Sequence, residues 1–162
     1  MDKASRFEVT MGNVVVAKTP HSILCRGLGS CVALVLYDTR RKIGGVAHIM
    51  LPGSNGSSSL NRPCQNAGIA TAFLLEHLDE KGAVRGNIVA KIVGGASMFA
   101  NGGDSGPTIG EQNIISIRHI LNQERIPLMG RDVGGNYGRS IQLYLDSGKV
   151  TVSSVGRGSK EI

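Results

Sequence analysis

A cysteine set behind a glycine turn, with a histidine on the strand that follows, gives this chain its clearest capacity for covalent chemistry: Gly27-Leu28-Gly29-Ser30-Cys31, and then His48. The attacking form of cysteine is the thiolate, so such a site must lower the thiol pKa or hold a base beside it. Histidine is the natural base, because its ordinary pKa lies close to neutral. The glycines let the backbone turn sharply. The N–H groups of Gly29, Ser30 and Cys31 then become candidates for an oxyanion hole. The chemistry implied is attack on a carbonyl carbon. Taken singly, each residue has a plainer use, since a cysteine leading a strand is commonly a core filler. It is the pair, set in one glycine turn, that points to catalysis. His21, His77 and His119 fall in a loop or on helices and read as structural or exposed.

The elements that must position this pair follow from the hydrophobic pattern. Cys31 to Tyr37 is almost wholly apolar, as expected of a strand buried on both faces. Asp38 to Lys42 is a polar turn, and Ile43 to Leu51 is the next strand. The segment 31–51 thus reads as a hairpin that carries Cys31 and His48 to the same end of two adjacent strands. Upstream, residues 6–17 read as two short strands in a hairpin split at Met11-Gly12-Asn13, and Ser22 to Cys25 as a short extended piece. Downstream, PGSNGSSSLNR (52–62) reads as a loop, a possible wall or lid of the site. Helices are expected over 65–81, with Ile69, Ala72, Phe73, Leu74 and Leu78 sharing a face, and over 109–124, with Ile114, Ile117, Ile120 and Leu121 inward. Strands are expected over 87–93 and 127–132. A loop follows at 101–107 and a glycine turn at 134–138. Residues 141–145 and 150–155 form a hairpin turning at Asp146-Ser147-Gly148. Many strands with two long helices give an α+β fold: one domain over 1–162, its mixed β-sheets packed as a layered core with the two main helices outside.

Composition narrows the class. Glycine is abundant, at 23 of 162 residues, but clustered without a period, which excludes collagen. No apolar run is long enough to cross a membrane as a helix, and MDKASRFEVT lacks the apolar core of a secretion signal, so a cytoplasmic protein with no membrane insertion is expected. The cysteines 25, 31 and 64 are odd in number and form no CxxC pair, which argues for free thiols and against structural zinc. The net charge of +6 suits an acidic partner. Its basic residues are scattered and have few aromatics beside them, so nucleic acid is not expected as that partner. Gly134-Gly135-Asn136-Tyr137-Gly138-Arg139 lacks the lysine and hydroxyl of a phosphate loop and reads as a structural turn with Arg139 held internally. Met98 and Phe99, beside a polar glycine-rich loop, form an apolar contact patch if they are exposed.

The segments GLGSCVALVLYD (27–38), GGVAHIMLPGS (44–54), AKIVGGASMF (90–99), IGEQN (109–113) and DVGGNYGRSIQLYLDSGKV (132–150) resemble the chemoreceptor glutamine deamidases of bacterial and archaeal chemotaxis, the CheD proteins. The resemblance runs from about residue 9 to 155. It places the family's catalytic cysteine on Cys31 and its catalytic histidine on His48. The family's third catalytic position, a threonine, falls on Cys25, whose thiol is a much weaker acceptor than a hydroxyl. A bridge between Cys25 and Cys31 is a lesser possible use of that thiol. The resemblance implies deamidation of glutamine on methyl-accepting chemotaxis receptors through a thioester, with release of ammonia and no metal or organic cofactor. It also implies a partner, a CheC-type phosphatase, for which Met98 and Phe99 are the expected contact. The alternative is a non-catalytic adaptor that holds the phosphatase or receptor in the same cleft. A cysteine peptidase or transglutaminase-like enzyme is a third reading.

Overall fold

A computed structural model describes residues 3–54, 60–99 and 106–162. The strands are β1 (Arg6–Val9), β2 (Val14–Lys18), β3 (Ser22–Leu28), β4 (Val32–Asp38), β5 (Ile43–Ile49), β6 (Ile88–Gly94), β7 (Leu128–Val133), β8 (Arg139–Tyr144), β9 (Val150–Ser154) and β10 (Gly158–Glu161), with helices α1 (Ala67–Glu80) and α2 (Ile109–Gln123). They build two five-stranded mixed sheets, ordered β1-β3-β8-β9-β10 and β2-β5-β4-β6-β7. The expected α+β layering is what forms, and it has three layers. Both helices cover the outer face of the second sheet, where Leu74, Leu78, Ile117 and Leu121 meet Leu34, Leu36 and Ile92. Its inner face packs on the first sheet through Ala33, Val35, Val46 and Val93 against Ile23, Ile141 and Leu143. β4 and β5, central and covered on both sides, are therefore buried at every residue, which is why they read as unbroken apolar runs.

The 31–51 hairpin forms as expected. Ala33 lies opposite His48, and Val32 opposite Ile49. The hairpin expected over 6–17 does not form: β1 runs parallel to β3 in the first sheet, while β2 pairs with β5 in the second. The turn between them carries the chain from one sheet to the other. Gly12 sits there at φ 71°, with space only for hydrogen, since a Cβ would fall 2.6 Å from Cβ of Arg62. Asn13 locks the turn by donating from Nδ2 to Oγ1 of Thr10 and to the Asn61 carbonyl.

Three further expectations are corrected. The buried stripe of α1 is Ala67, Ala70, Thr71, Leu74, Leu75 and Leu78. Ala72 and Phe73 face solvent, because at about 100° per residue they fall outside the stripe centred on Ala67, Ala70, Leu74 and Leu78. The piece expected at 22–25 continues to Leu28 through a bulge, with Cys25 opposite Ile141 and Leu28 opposite Arg139. One extra residue on β3 turns both Cys25 and Leu28 inward despite their odd spacing. The exposed C-terminal strand β10 was not expected, having no apolar alternation. α2 is as expected, opened by a capping box in which Thr108 and Glu111 satisfy each other's backbone N–H. Parts of two expected loops, 55–59 and 101–105, lie outside the described residues, and the lid reading of 52–62 falls largely on the first of these.

Candidate active site

The site lies at one end of the gap between the sheets. Cys31 precedes β4 with the parity of Ala33 and Val35, and His48 lies opposite Ala33 with the parity of Val46. Cys31 and His48 are thus diagonal neighbours on the inner face of the second sheet. Cys31 packs against the inter-sheet core, of which Cys25 is a fully buried member contributed by β3 of the first sheet. The structure therefore brings together the three residues expected to form the site.

His48 is 2% exposed. Its Nδ1 lies 3.5 Å from Sγ of Cys25, and its Nε2 is buried without a hydrogen-bond partner among the described residues. Its backbone is pinned on both sides of the peptide: the N–H donates to the Asn13 carbonyl and the C=O accepts from Gly12 N–H. Burial pushes the imidazole pKa down from 6.5 to about 4, because a charged ring there would lose its water. Burial also raises the Cys31 thiol, opposed by the residue's own backbone N–H and by the Arg62 guanidinium, both of which favour the thiolate. Cys25 is pushed far up by burial and by the neighbouring Cys31. At neutral pH the site accordingly holds two thiols and a neutral imidazole. All three cysteines are free.

The loop before Cys31 is held by a framework of backbone bonds. Gly95 N–H donates to the Cys31 carbonyl and Ala96 N–H to the Gly29 carbonyl, while Gly134 N–H returns to Gly94. A Cβ on Gly94, at φ 116°, would fall 2.3 Å from the Cys31 oxygen, so the Gly94-Gly95 pair lets β6 approach the nucleophile's backbone. One part of the expected oxyanion hole needs correction. The Gly29 N–H already donates to the Gly27 carbonyl at 3.2 Å, which leaves the N–H groups of Ser30 and Cys31 as the donors not taken by another residue's carbonyl among the described residues. Gly29 instead makes room for Met98, whose sulfur would lie 3.0 Å from a Cβ there.

Met98 and Phe99 are exposed, at 47% and 91%. They line an open groove of about 1010 Å³ that runs from Gly27–Gly29 past Tyr137 to Val155. Arg139 is internal, as expected, donating to the Gly134 carbonyl and to Asp132. Two residues near Cys31 were not expected in the site. Arg62 acts on the thiol by charge from within the 52–62 loop. Asn113 of α2 is fully buried and donates to the carbonyls of Ser30 and Met50 at 2.9 and 3.0 Å. The available signal was a single asparagine in the buried stripe Gly110, Asn113, Ile117, Leu121.

Residues 50–154 match the family model for CheD chemotactic sensory transduction. Over nearly the whole chain the sequence is similar to curated proteins named probable chemoreceptor glutamine deamidase CheD. That of Clostridium novyi is 40% identical over 158 residues, 96% of this chain and 97% of the relative. That of Clostridium botulinum strain Eklund 17B is 39% identical over 98% of both chains. That of Caldanaerobacter subterraneus is 39% identical over 96% and 97%.

Proposed function

The chain belongs to the CheD family, and from that premise we propose that it deamidates glutamine side chains of methyl-accepting chemotaxis receptors, with Cys31 as nucleophile and His48 as base. One observation carries the reading: His48 is buried, with Nδ1 against Cys25 and Nε2 without a partner among the described residues, on the sheet face it shares with Cys31. We assign the tautomer in which Nδ1–H donates to the Cys25 sulfur, because it leaves the lone pair on Nε2, where a base needs it.

The steps follow from that tautomer. Nε2 takes the Cys31 thiol proton as sulfur attacks the glutamine amide carbon. The oxyanion forms at the N–H groups of Cys31 and Ser30. The imidazolium returns its proton to the amide nitrogen, the C–N bond breaks, and ammonia leaves a thioester. Water, losing a proton to Nε2, attacks the thioester. Its collapse releases glutamate, and Cys31 sulfur recovers the proton. Because thiol and imidazole are both neutral beforehand, the proton moves during attack rather than in a resting ion pair. The net charge of +6 favours encounter with an acidic receptor bundle, and a cytoplasmic setting follows from that substrate. Incubation with receptor cytoplasmic fragments tests the reading. Conversion of specific glutamines to glutamate supports it, whereas binding without conversion, across several receptors, gives the adaptor.

Cys25 serves here as the group that orients His48. Restoring the hydroxyl with Cys25→Thr is expected to preserve or raise kcat. Cys25→Val, which leaves Nδ1 unpartnered, is expected to lower it roughly tenfold, the worth of one hydrogen bond. Steady-state deamidation rates check both, and a large loss in Cys25→Thr would give the thiol a role of its own.

The exposed pair Met98 and Phe99 is the proposed contact for a CheC-type phosphatase. Phe99 is nearly free of the fold, so Phe99→Ala is expected to weaken phosphatase binding by roughly tenfold or more without moving the melting temperature. Titration calorimetry against such a phosphatase checks this, and unchanged affinity rejects the patch.

A further inference from the structure

We propose that Asn113 is a positioning residue for the reaction: by holding the Ser30 carbonyl it aims the Cys31 N–H at the reacting sulfur, and by holding the Met50 carbonyl it ties the His48 strand to the same anchor. The inference rests on the deamidase reading and adds to it a residue that touches neither substrate nor sulfur.

The geometry is specific. Val32 opposite Ile49 is the last pair of the β4–β5 ladder. Beyond it the strands part: the Cys31 carbonyl accepts from Gly95 and the Met50 N–H donates to Gln65. The carbonyls of Ser30 and Met50 are taken instead by the two N–H bonds of one amide. The Ser30 C=O and the Cys31 N–H belong to the same trans peptide and point in opposite directions. Fixing the carbonyl toward α2 therefore turns the N–H away from the helix, and that N–H faces the residue's own sulfur. The helix is itself well referenced to the nucleophile loop. Gly110, one turn earlier, packs so closely that a Cβ would fall 2.4 Å from the Gly95 oxygen and 2.5 Å from that of Ala96, the two residues that hold the Cys31 and Gly29 carbonyls.

The side chain satisfies two carbonyls but does so at a cost. Its Oδ1 is buried with no partner among the described residues, a loss of hydration that an apolar residue continuing the Ile117–Leu121 stripe would avoid. What the asparagine supplies, and an apolar residue cannot, is the pair of donors.

The test uses the full-length protein with Asn113→Ala and Asn113→Ser. Each is assayed for receptor deamidation and, without receptor, for the rate of Cys31 alkylation by iodoacetamide against pH, read by peptide mass. In folded variants we expect kcat to fall roughly 10- to 100-fold with KM within about twofold, as for a misplaced catalytic group. The alkylation profile is expected to move to higher pH, because the thiolate loses an aimed N–H. An unchanged alkylation profile with kcat intact overturns the proposal. So does failure of both variants to fold, which would make Asn113 a determinant of the core. Alkylation needs no receptor, so if the unmodified protein proves inactive on receptors, the deamidase reading fails while the positioning of Cys31 is still decided.

Discussion

Cys31→Ala is expected to remove turnover, lowering kcat by roughly 10⁵-fold or more, because the other thiol beside His48, Cys25, is fully buried, held protonated by that burial and placed against Nδ1. The fold should hardly change. Cys31 lies outside the β4 ladder and is only partly buried, so loss of its sulfur costs on the order of 1 kcal/mol or less. That separation of activity from stability distinguishes a nucleophile from a core cysteine. Cys31→Ser sharpens the point. The hydroxyl fits the same turn, but its proton is far harder to remove, and an imidazole whose pKa is held near 4 by burial is a weak base for it. Serine is therefore expected to be nearly as inactive as alanine. Ammonia release from a receptor fragment, followed alongside thermal unfolding, checks both variants.

His48→Gln is expected to lower kcat by roughly 10³-fold, the usual scale for loss of a general base. Its pH behaviour carries a second, independent signature. In the wild type the acidic limb of kcat/KM should fall near pH 4 rather than near 6.5, since the free enzyme keeps His48 neutral down to that point. Stability follows the same shift with a definite sign. Above pH 6.5 neither the folded nor the unfolded chain protonates this histidine, and it adds no pH dependence. Between 6.5 and 4 the unfolded chain takes up a proton that the folded chain refuses, so stability drops as pH falls, and below 4 both bind it. The loss amounts to about 2 to 3 kcal/mol by pH 4.5. His48→Gln should remove that component, so urea unfolding at pH 7 and 4.5 should show a smaller loss in the variant than in the wild type. An equal loss in both would mean that His48 is not held neutral by its burial.

The candidate pair was legible in the sequence because the two strands that carry it are covered on both faces. Their apolar runs, with a polar turn at Asp38–Lys42, left one sensible pairing, and that pairing sets Cys31 and His48 on one face. The second sheet's contribution was therefore readable, and the first sheet's was not. Cys25 reaches His48 because β3 packs face to face with β5, a long-range relation that local pattern does not encode. The turn at Met11-Gly12-Asn13 looks like a hairpin because its residues are turn formers. What sends its two arms to different sheets is the hold of Asn13 on residue 61 and of Gly12 and Asn13 on His48, again distant in sequence. The glycines marked a sharp turn correctly but not which N–H stays free, since the Gly27–Gly29 bond that consumes one donor depends on the φ of the turn. Asn113 shows the same limit from another side. A lone polar residue in a buried stripe signals a hydrogen-bonded role, but its two acceptors come from segments far apart in the chain.

Cys31 is expected to form a thioester with a receptor glutamine. Acid-quenching the wild-type protein within its first turnover on a receptor cytoplasmic fragment, and weighing the intact products, captures it. The expected result is a transient covalent species, with the mass of enzyme plus fragment less ammonia, attached at Cys31 and absent in Cys31→Ala, which decays as glutamate appears in the fragment. Glutamate formation that persists in Cys31→Ala, or an adduct on Cys25 or Cys64 in its place, would contradict it.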